Sequence, residues 1–212
     1  MHKFALYIFA ILLCTPLLAQ EAEIDSTSRN RSEQQPDNTL LREPVQHSIY
    51  GAAVMKLAPT GPDATSSLFV GGELCWVLNK TYFLGLGFNG LSTVVDAPKI
   101  FPVEGLVLVN NFGGVIFGYV HQSRRMLHFE GQLLAGVGQA FYRDPEYRAT
   151  YDQNDAYIVL EPSVSAVLNV TSGFRLAAGL SYKIATHVNL IGLENKDLSG
   201  LCLNLAFKVG RF

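Results

Sequence analysis

Beyond residue 20 the chain contains no apolar run approaching the roughly 20 residues that a helical membrane span requires, which excludes a polytopic helical membrane protein. Charge is also scarce. Asp, Glu, Lys and Arg make up 16% of the 212 residues, against about 25% in soluble globular domains. The formal net charge is −2 and no basic cluster occurs, so nothing in the chain draws it to nucleic acid. Cysteine is sparse too, at three residues with no Cys/His spacing of the zinc kind. Nothing points to a cofactor, and the length fits one folded domain.

The first segment present is a leader. Lys3 supplies the positive start, Phe4 to Leu13 form a short apolar stretch, and Pro16 breaks it ahead of LLAQ. Cleavage after Ala19 makes 1–19 a signal peptide, although Leu17 is larger than the −3 position prefers. Cys14 invites a lipoprotein reading, but the bulky Leu13 before it argues against lipidation. Residues 20–46 are polar, of mixed charge and without periodicity, and read as a disordered tail. A plug or a partner-binding segment is the functional alternative for them.

From residue 47 onward the spacing predicts eight strands, at about 47–57, 67–78, 82–93, 107–120, 126–142, 156–170, 174–187 and 199–211. The gaps between them alternate. Those near 79–81, 121–125 and 171–173 are tight, whereas 58–66, 94–106, 143–155 and 188–198 are longer. An up-and-down barrel that crosses a bilayer needs this rhythm, with short turns on one side and longer loops on the other. An even strand number then returns both termini to the short-turn side.

The seventh strand alternates most cleanly. Phe174, Leu176, Ala178, Leu180, Tyr182 and Ile184 share one face, and Arg175, Ala177, Gly179, Ser181, Lys183 and Ala185 the other. The sixth and eighth strands follow suit, while NNFGGVIFGYV in the fourth fits either phase. A soluble sandwich would line its polar face with Lys, Glu and Thr. Here that face is mostly Gly, Ala and Ser, which suits the cramped inside of an eight-stranded barrel, with the large apolar side chains turned to lipid. Trp76, Tyr82, Tyr119, Phe129 and Phe174 all fall near the short turns, as rings do at the headgroup level of a bilayer.

This phase turns seven ionisable residues inward: Lys56, Glu73, Glu130, Glu161, Arg175, Lys183 and Lys208. Charges in so narrow a space must pair, because an isolated buried ion is very costly. If Thr171–Ser172–Gly173 is a three-residue hairpin with Gly173 left-handed, Val170 faces Phe174 and Glu161 stands opposite Lys183. The expectation is a structural bridge between them, a proton or ion pathway being the alternative. Cys75 lies near the lower turn and Cys202 near the upper start of the last strand. At about 3.3 Å rise per residue they stand too far apart in height for a disulfide.

Chemistry is poorly marked. His47, His121 and His128 fall near the lower rim and His187 near the upper, where Asp155 and a loop hydroxyl are within conceivable reach, but no motif singles them out. DQND at 152–155 is a fragment of a calcium-loop pattern. The third long loop, RDPEYRATYDQND, combines Arg143, Tyr147, Arg148 and Tyr151, residue types that anchor binding surfaces; the bland alternative is a solvated loop.

In its strand rhythm, in EPSVSAVLNVTSGFRLAAGLSYK and in the closing LAFKVGRF, the chain from 47 to 212 resembles the small eight-stranded outer-membrane β-barrels of Gram-negative bacteria, the OmpA/OmpX-like class. The resemblance implies residence in the outer-membrane lipid, a periplasmic tail at 20–46, and insertion by an assembly machinery that reads a final aromatic, here Phe212. It implies no catalytic residue and no cofactor. Phe212 departs from the pattern by falling in the inward phase with Lys208 and Gly210, so either the strand bulges near its end or the assembly signal is imperfect. The combined expectation is an all-β, antiparallel, up-and-down transmembrane barrel with a filled interior. It acts without catalysis, in surface binding or adhesion through its loops or in envelope organisation through its tail. The alternatives are a membrane-embedded lipid-modifying enzyme and a soluble lipocalin-like barrel.

Overall fold

The computed structural model describes residues 45–97, 105–143 and 150–212, with side chains from 154 onward in the last segment. Residues 1–44, where a leader and a tail are expected, lie outside the described residues, as do Tyr147, Arg148 and the side chain of Tyr151.

Eight strands form: β1 (His47–Thr60), β2 (Thr65–Leu78), β3 (Tyr82–Leu91), β4 (Val107–His121), β5 (Leu127–Arg143), β6 (Thr150–Asn169), β7 (Phe174–Thr186) and β8 (Gly200–Gly210). Each is antiparallel to its neighbour in sequence order, and the barrel closes through β1 against β8, from Tyr50↔Gly210 to Leu57↔Leu203. The architecture is the one the alternation predicts. Closure leaves no unpaired sheet edge.

The turns fix the register. Between β2 and β3, Asn79 and Lys80 both adopt positive φ, 51° and 56°, as primed hairpin turns require. There the Thr81 N–H donates to the Leu78 carbonyl at 3.0 Å. Between β4 and β5, Gln122 is left-handed at φ 56° and its carbonyl accepts from Arg125 N–H at 2.9 Å. The third short turn corrects an expectation, because Gly173 is not left-handed. Its N–H is instead held by the Thr171 hydroxyl at 3.2 Å, and Val170 N–H reaches the Phe174 carbonyl at 3.1 Å. A side-chain acceptor thus does what positive φ was expected to do, and the register is unchanged.

Large apolar residues cover the outside of the wall. Leu74, Leu86, Val137 and Val209 are each more than 60% exposed, while Phe69, Phe83, Ile116 and Leu134 on the opposite face are almost fully buried. The ambiguous phase of β4 is settled with Phe112, Ile116 and Val120 inward and Val115, Phe117 and Tyr119 outward. The inside is bulkier than small residues and ions alone would make it, since Tyr50, Phe69, Phe83, Phe112 and Tyr157 all enter it. Glycines on neighbouring strands make room. A Cβ on Gly118 would collide with the Phe83 ring, and one on Gly138 with the Tyr157 ring.

The loop end is capped by apolar residues. The β7–β8 connection contains a 3₁₀ turn, Asn195–Leu198, and buries Leu190, Leu193 and Leu198. The Tyr142 hydroxyl donates to the Ile191 carbonyl at 2.9 Å, and Gly61 N–H to the Asp197 carbonyl at 2.8 Å, which ties this loop to β5 and to the β1–β2 connection.

Candidate functional site

The interior polar residues fall at different heights along the barrel. Nearest the short-turn end, Glu130 of β5 accepts a hydrogen bond from Lys208 of β8, and His128 Nε2 lies 3.7 Å from its other oxygen. Arg175 stacks its guanidinium over the Phe212 ring, 3.9 Å from the centroid. Phe212 also packs against Tyr50 at 5.5 Å between centroids. The final aromatic therefore sits inside, in the phase the sequence indicates, and follows a strand that ends at Gly210.

At mid-height Lys56 of β1 donates to Glu161 of β6 at 2.7 Å, and the Ser181 hydroxyl donates to the same oxygen at 2.6 Å. Glu73 accepts from Gln132 at 3.0 Å. Nearer the loops the Tyr157 hydroxyl donates to Asn110 Oδ1 at 2.6 Å.

The predicted bridge between Glu161 and Lys183 is not made. The register places them as expected, since Leu160 pairs with Ile184 and Ser163 with Ser181, and both side chains are buried inside. Yet Lys183 Nζ has no hydrogen-bond partner among protein atoms. It lies over the rings of Phe69 and Phe112, 4.5 and 5.1 Å from their centroids. The physical reason is competition across the axis. Lys56 approaches Glu161 from the far wall, and the two aromatic faces offer Lys183 a cation–π environment instead.

Cys75 and Cys202 are both free and buried. The histidines do not assemble. His47 stacks on Trp76 at 5.4 Å and His121 lies 6.4 Å from the Tyr119 ring. His187 is exposed, with Nδ1 3.4 Å from Thr186 Oγ1, while Asp155 accepts the Asn189 N–H at 2.7 Å. Among the described residues no three His, Cys, Asp or Glu side chains are placed to hold a metal, and no helix is long and apolar enough to cross a membrane.

The aromatic residues near the short turns lie on the outer wall. Trp76, Tyr119 and Phe129 are exposed, Tyr82 and Phe174 are partly so, and Tyr82 packs on Tyr119 at 5.6 Å. Arg143, at the end of β5, is the exposed described member of the third loop's candidate binding set. The loop-end cap built from Leu190, Leu193 and Leu198 was not anticipated; its signal in the sequence is the apolar content of the 188–198 connection, Val188, Leu190, Ile191, Leu193 and Leu198.

No protein-family model and no curated protein sequence matches this chain. Solved structures do match in fold. Neisserial surface protein A superposes with a TM-score of 0.60 at 13% identity, over 79% of this chain and 99% of that one. The N-terminal β-barrel domain of Pseudomonas aeruginosa OprF gives 0.49 at 14% identity, over 78% and 98%. Ail, the attachment invasion locus protein of Yersinia pestis, gives 0.45 at 15% identity, over 79% and 97%. At 13% identity the likeness to Neisserial surface protein A is one of fold, that of a closed antiparallel β-barrel.

Proposed function

We propose that the chain is an integral outer-membrane barrel that works without catalysis, through surface binding at its loops or envelope organisation through its tail. The observation that carries this reading is the apolar outer wall. Side chains such as Leu86, Phe88 and Phe117, each more than half exposed, encircle a closed barrel. A monomeric soluble protein rarely exposes apolar patches beyond a few hundred Å², whereas hydrocarbon favours such a surface.

The interior supports a role at the rims rather than through the axis. Eight strands leave space that side chains fill, and here Phe69, Phe112, Ile116 and Leu134 are packed with the ion pairs, beneath a cap of leucines. A diffusion porin needs an open lumen, so this reading assigns none. Export by residues 1–19 and the binding set Arg143, Tyr147, Arg148 and Tyr151 belong to the same proposal.

The test is fractionation of cells making the chain, with an alkaline carbonate wash and gels run with and without boiling. A membrane barrel stays in the pellet and migrates faster before boiling. A carbonate-soluble protein with no mobility difference would instead favour the lipocalin-like alternative. Inactivation of a lipid-modifying activity by serine-directed reagents would bring back the enzyme.

A further inference from the structure

The two ends of the barrel differ in charge. The short turns and the terminal residues beside them carry Lys80, Arg124, Arg125 and Arg211 and, among the described residues, no Asp or Glu; Glu130 lies inside the barrel, engaged by Lys208. At the loop end Asp63, Asp96, Asp155, Glu194 and Asp197 outnumber Arg143 and Lys196 among the described residues. Three of the four short-turn cations converge. Lys80, Arg124 and Arg125 line one groove of about 500 Å³ that opens between the β2–β3 and β4–β5 turns, together with Asn79, Ser123 and Tyr119. None of the ion pairs among the described residues involves these three cations.

The groove is built by the fold. Left-handed backbone at Lys80 and at Gln122 sets the two turns, and Val120 N–H donating to the Thr81 carbonyl at 2.6 Å joins them. Asn169 of β6 braces the far side, its amide donating to the carbonyls of Ser123 and Arg125 at 3.1 and 2.7 Å. The groove's upper boundary is Tyr119, packed on Tyr82. Directly above, Trp76, Leu84 and Phe117 lie side by side across β2, β3 and β4, all exposed on the outer wall.

We propose that this groove seats the phosphate headgroup of an anionic phospholipid from the leaflet at the short-turn end, whose acyl chains run up the Trp76–Leu84–Phe117 face. The proposal rests on the bilayer placement argued above. Two arginines and a lysine with no acidic competitor match a phosphodiester's charge and its acceptor oxygens. Aromatic rings mark the headgroup level at which the phosphate lies, and the adjoining apolar face continues where a lipid tail would. A phosphate free in solution shares the headgroup chemistry but makes no use of that face.

Trp76 is the chain's single tryptophan and stands beside the proposed tail path, so it reports occupancy. The full chain is refolded into phosphatidylcholine vesicles containing a small fraction of lipid with brominated acyl chains, supplied either as phosphatidylglycerol or as phosphatidylcholine. Quenching of Trp76 by the brominated phosphatidylglycerol is expected to exceed that by the brominated phosphatidylcholine, with an apparent preference of about fivefold or more. In a Lys80→Gln/Arg124→Gln/Arg125→Gln variant the preference falls to unity. Inorganic phosphate, added at constant ionic strength, leaves the wild-type preference in place. Equal quenching in the wild type, a preference that survives the triple substitution, or one erased by inorganic phosphate overturns the proposal. Failure of the bilayer placement reads differently: neither brominated lipid quenches Trp76, and the unboiled protein shows no mobility shift. The triple variant must itself keep that shift, and Arg211→Gln, outside the groove, is expected to keep the preference.

Discussion

Lys56 and Glu161 meet at 2.7 Å although they stand on β1 and β6, three strands apart around the wall. The contact therefore spans the barrel's inside and ties opposite walls together. Both groups are almost fully buried, and Glu161 also holds the Ser181 hydroxyl. Removing one member leaves the other as an uncompensated buried charge. We expect Glu161→Ala to cost about 3 kcal/mol or more, measured as a shift in urea unfolding followed by Trp76 fluorescence. The double change Lys56→Met/Glu161→Leu, which removes both charges and keeps volume, is expected to recover most of the loss. A Glu161→Ala protein as stable as wild type would refute the cross-wall role.

Lys183 lies close by and is expected to behave in the opposite way. Its ammonium makes no hydrogen bond to the protein and lies over the Phe69 and Phe112 rings. Lys183→Met fills the same space without a buried charge, so stability should stay within about 1 kcal/mol of wild type or rise. A loss comparable to that of Glu161→Ala would mean that Lys183 shares in holding Glu161.

These two neighbours also mark how far the sequence could be read. Strand number, alternation and the β6–β7 register follow from nearest-neighbour rules along the chain, so Glu161 does stand across from Lys183. Which cation then takes the carboxylate depends on where β1 arrives after closure. That is set by the accumulated stagger and tilt of all eight strands, and no local pattern encodes it. The same limit hid the phase of β4. In NNFGGVIFGYV, glycines and apolar residues occupy both faces, and only docking against β3 and β5 puts Gly118 against Phe83 and Phe112 inside. The hairpin at 171–173 kept its register but not its expected backbone, because Thr171 supplied an acceptor that the glycine rule does not consider. Of the candidate binding set, Arg143 stands exposed at the end of β5.

The glycines facing interior rings give a packing test. At Gly138 an added Cβ would enter the space of the Tyr157 ring, whose hydroxyl is committed to Asn110. Overpacking a filled interior typically costs about 1–3 kcal/mol. Gly138→Val should therefore lower the yield of the fast-migrating folded band and the temperature at which it disappears. Gly131→Val, where a Cβ meets nothing within 4 Å, serves as the matched control and should leave both unchanged.

Leu86 lies midway along β3 on the outer wall, 63% exposed, paired with Val115 and flanked by Leu74. If hydrocarbon surrounds that wall, a charge there loses its solvation. Leu86→Arg should then cost about 2–4 kcal/mol in refolding into vesicles, falling toward about 0–1 kcal/mol for a substitution near the interface such as Tyr82→Arg. If water surrounds it, an exposed leucine exchanged for arginine would change stability little and solubility would improve. Depth dependence separates the two surroundings, because a soluble wall has no reason to penalise Leu86→Arg more than Tyr82→Arg. Equal, small effects at both positions would remove the membrane from the account while leaving the barrel intact.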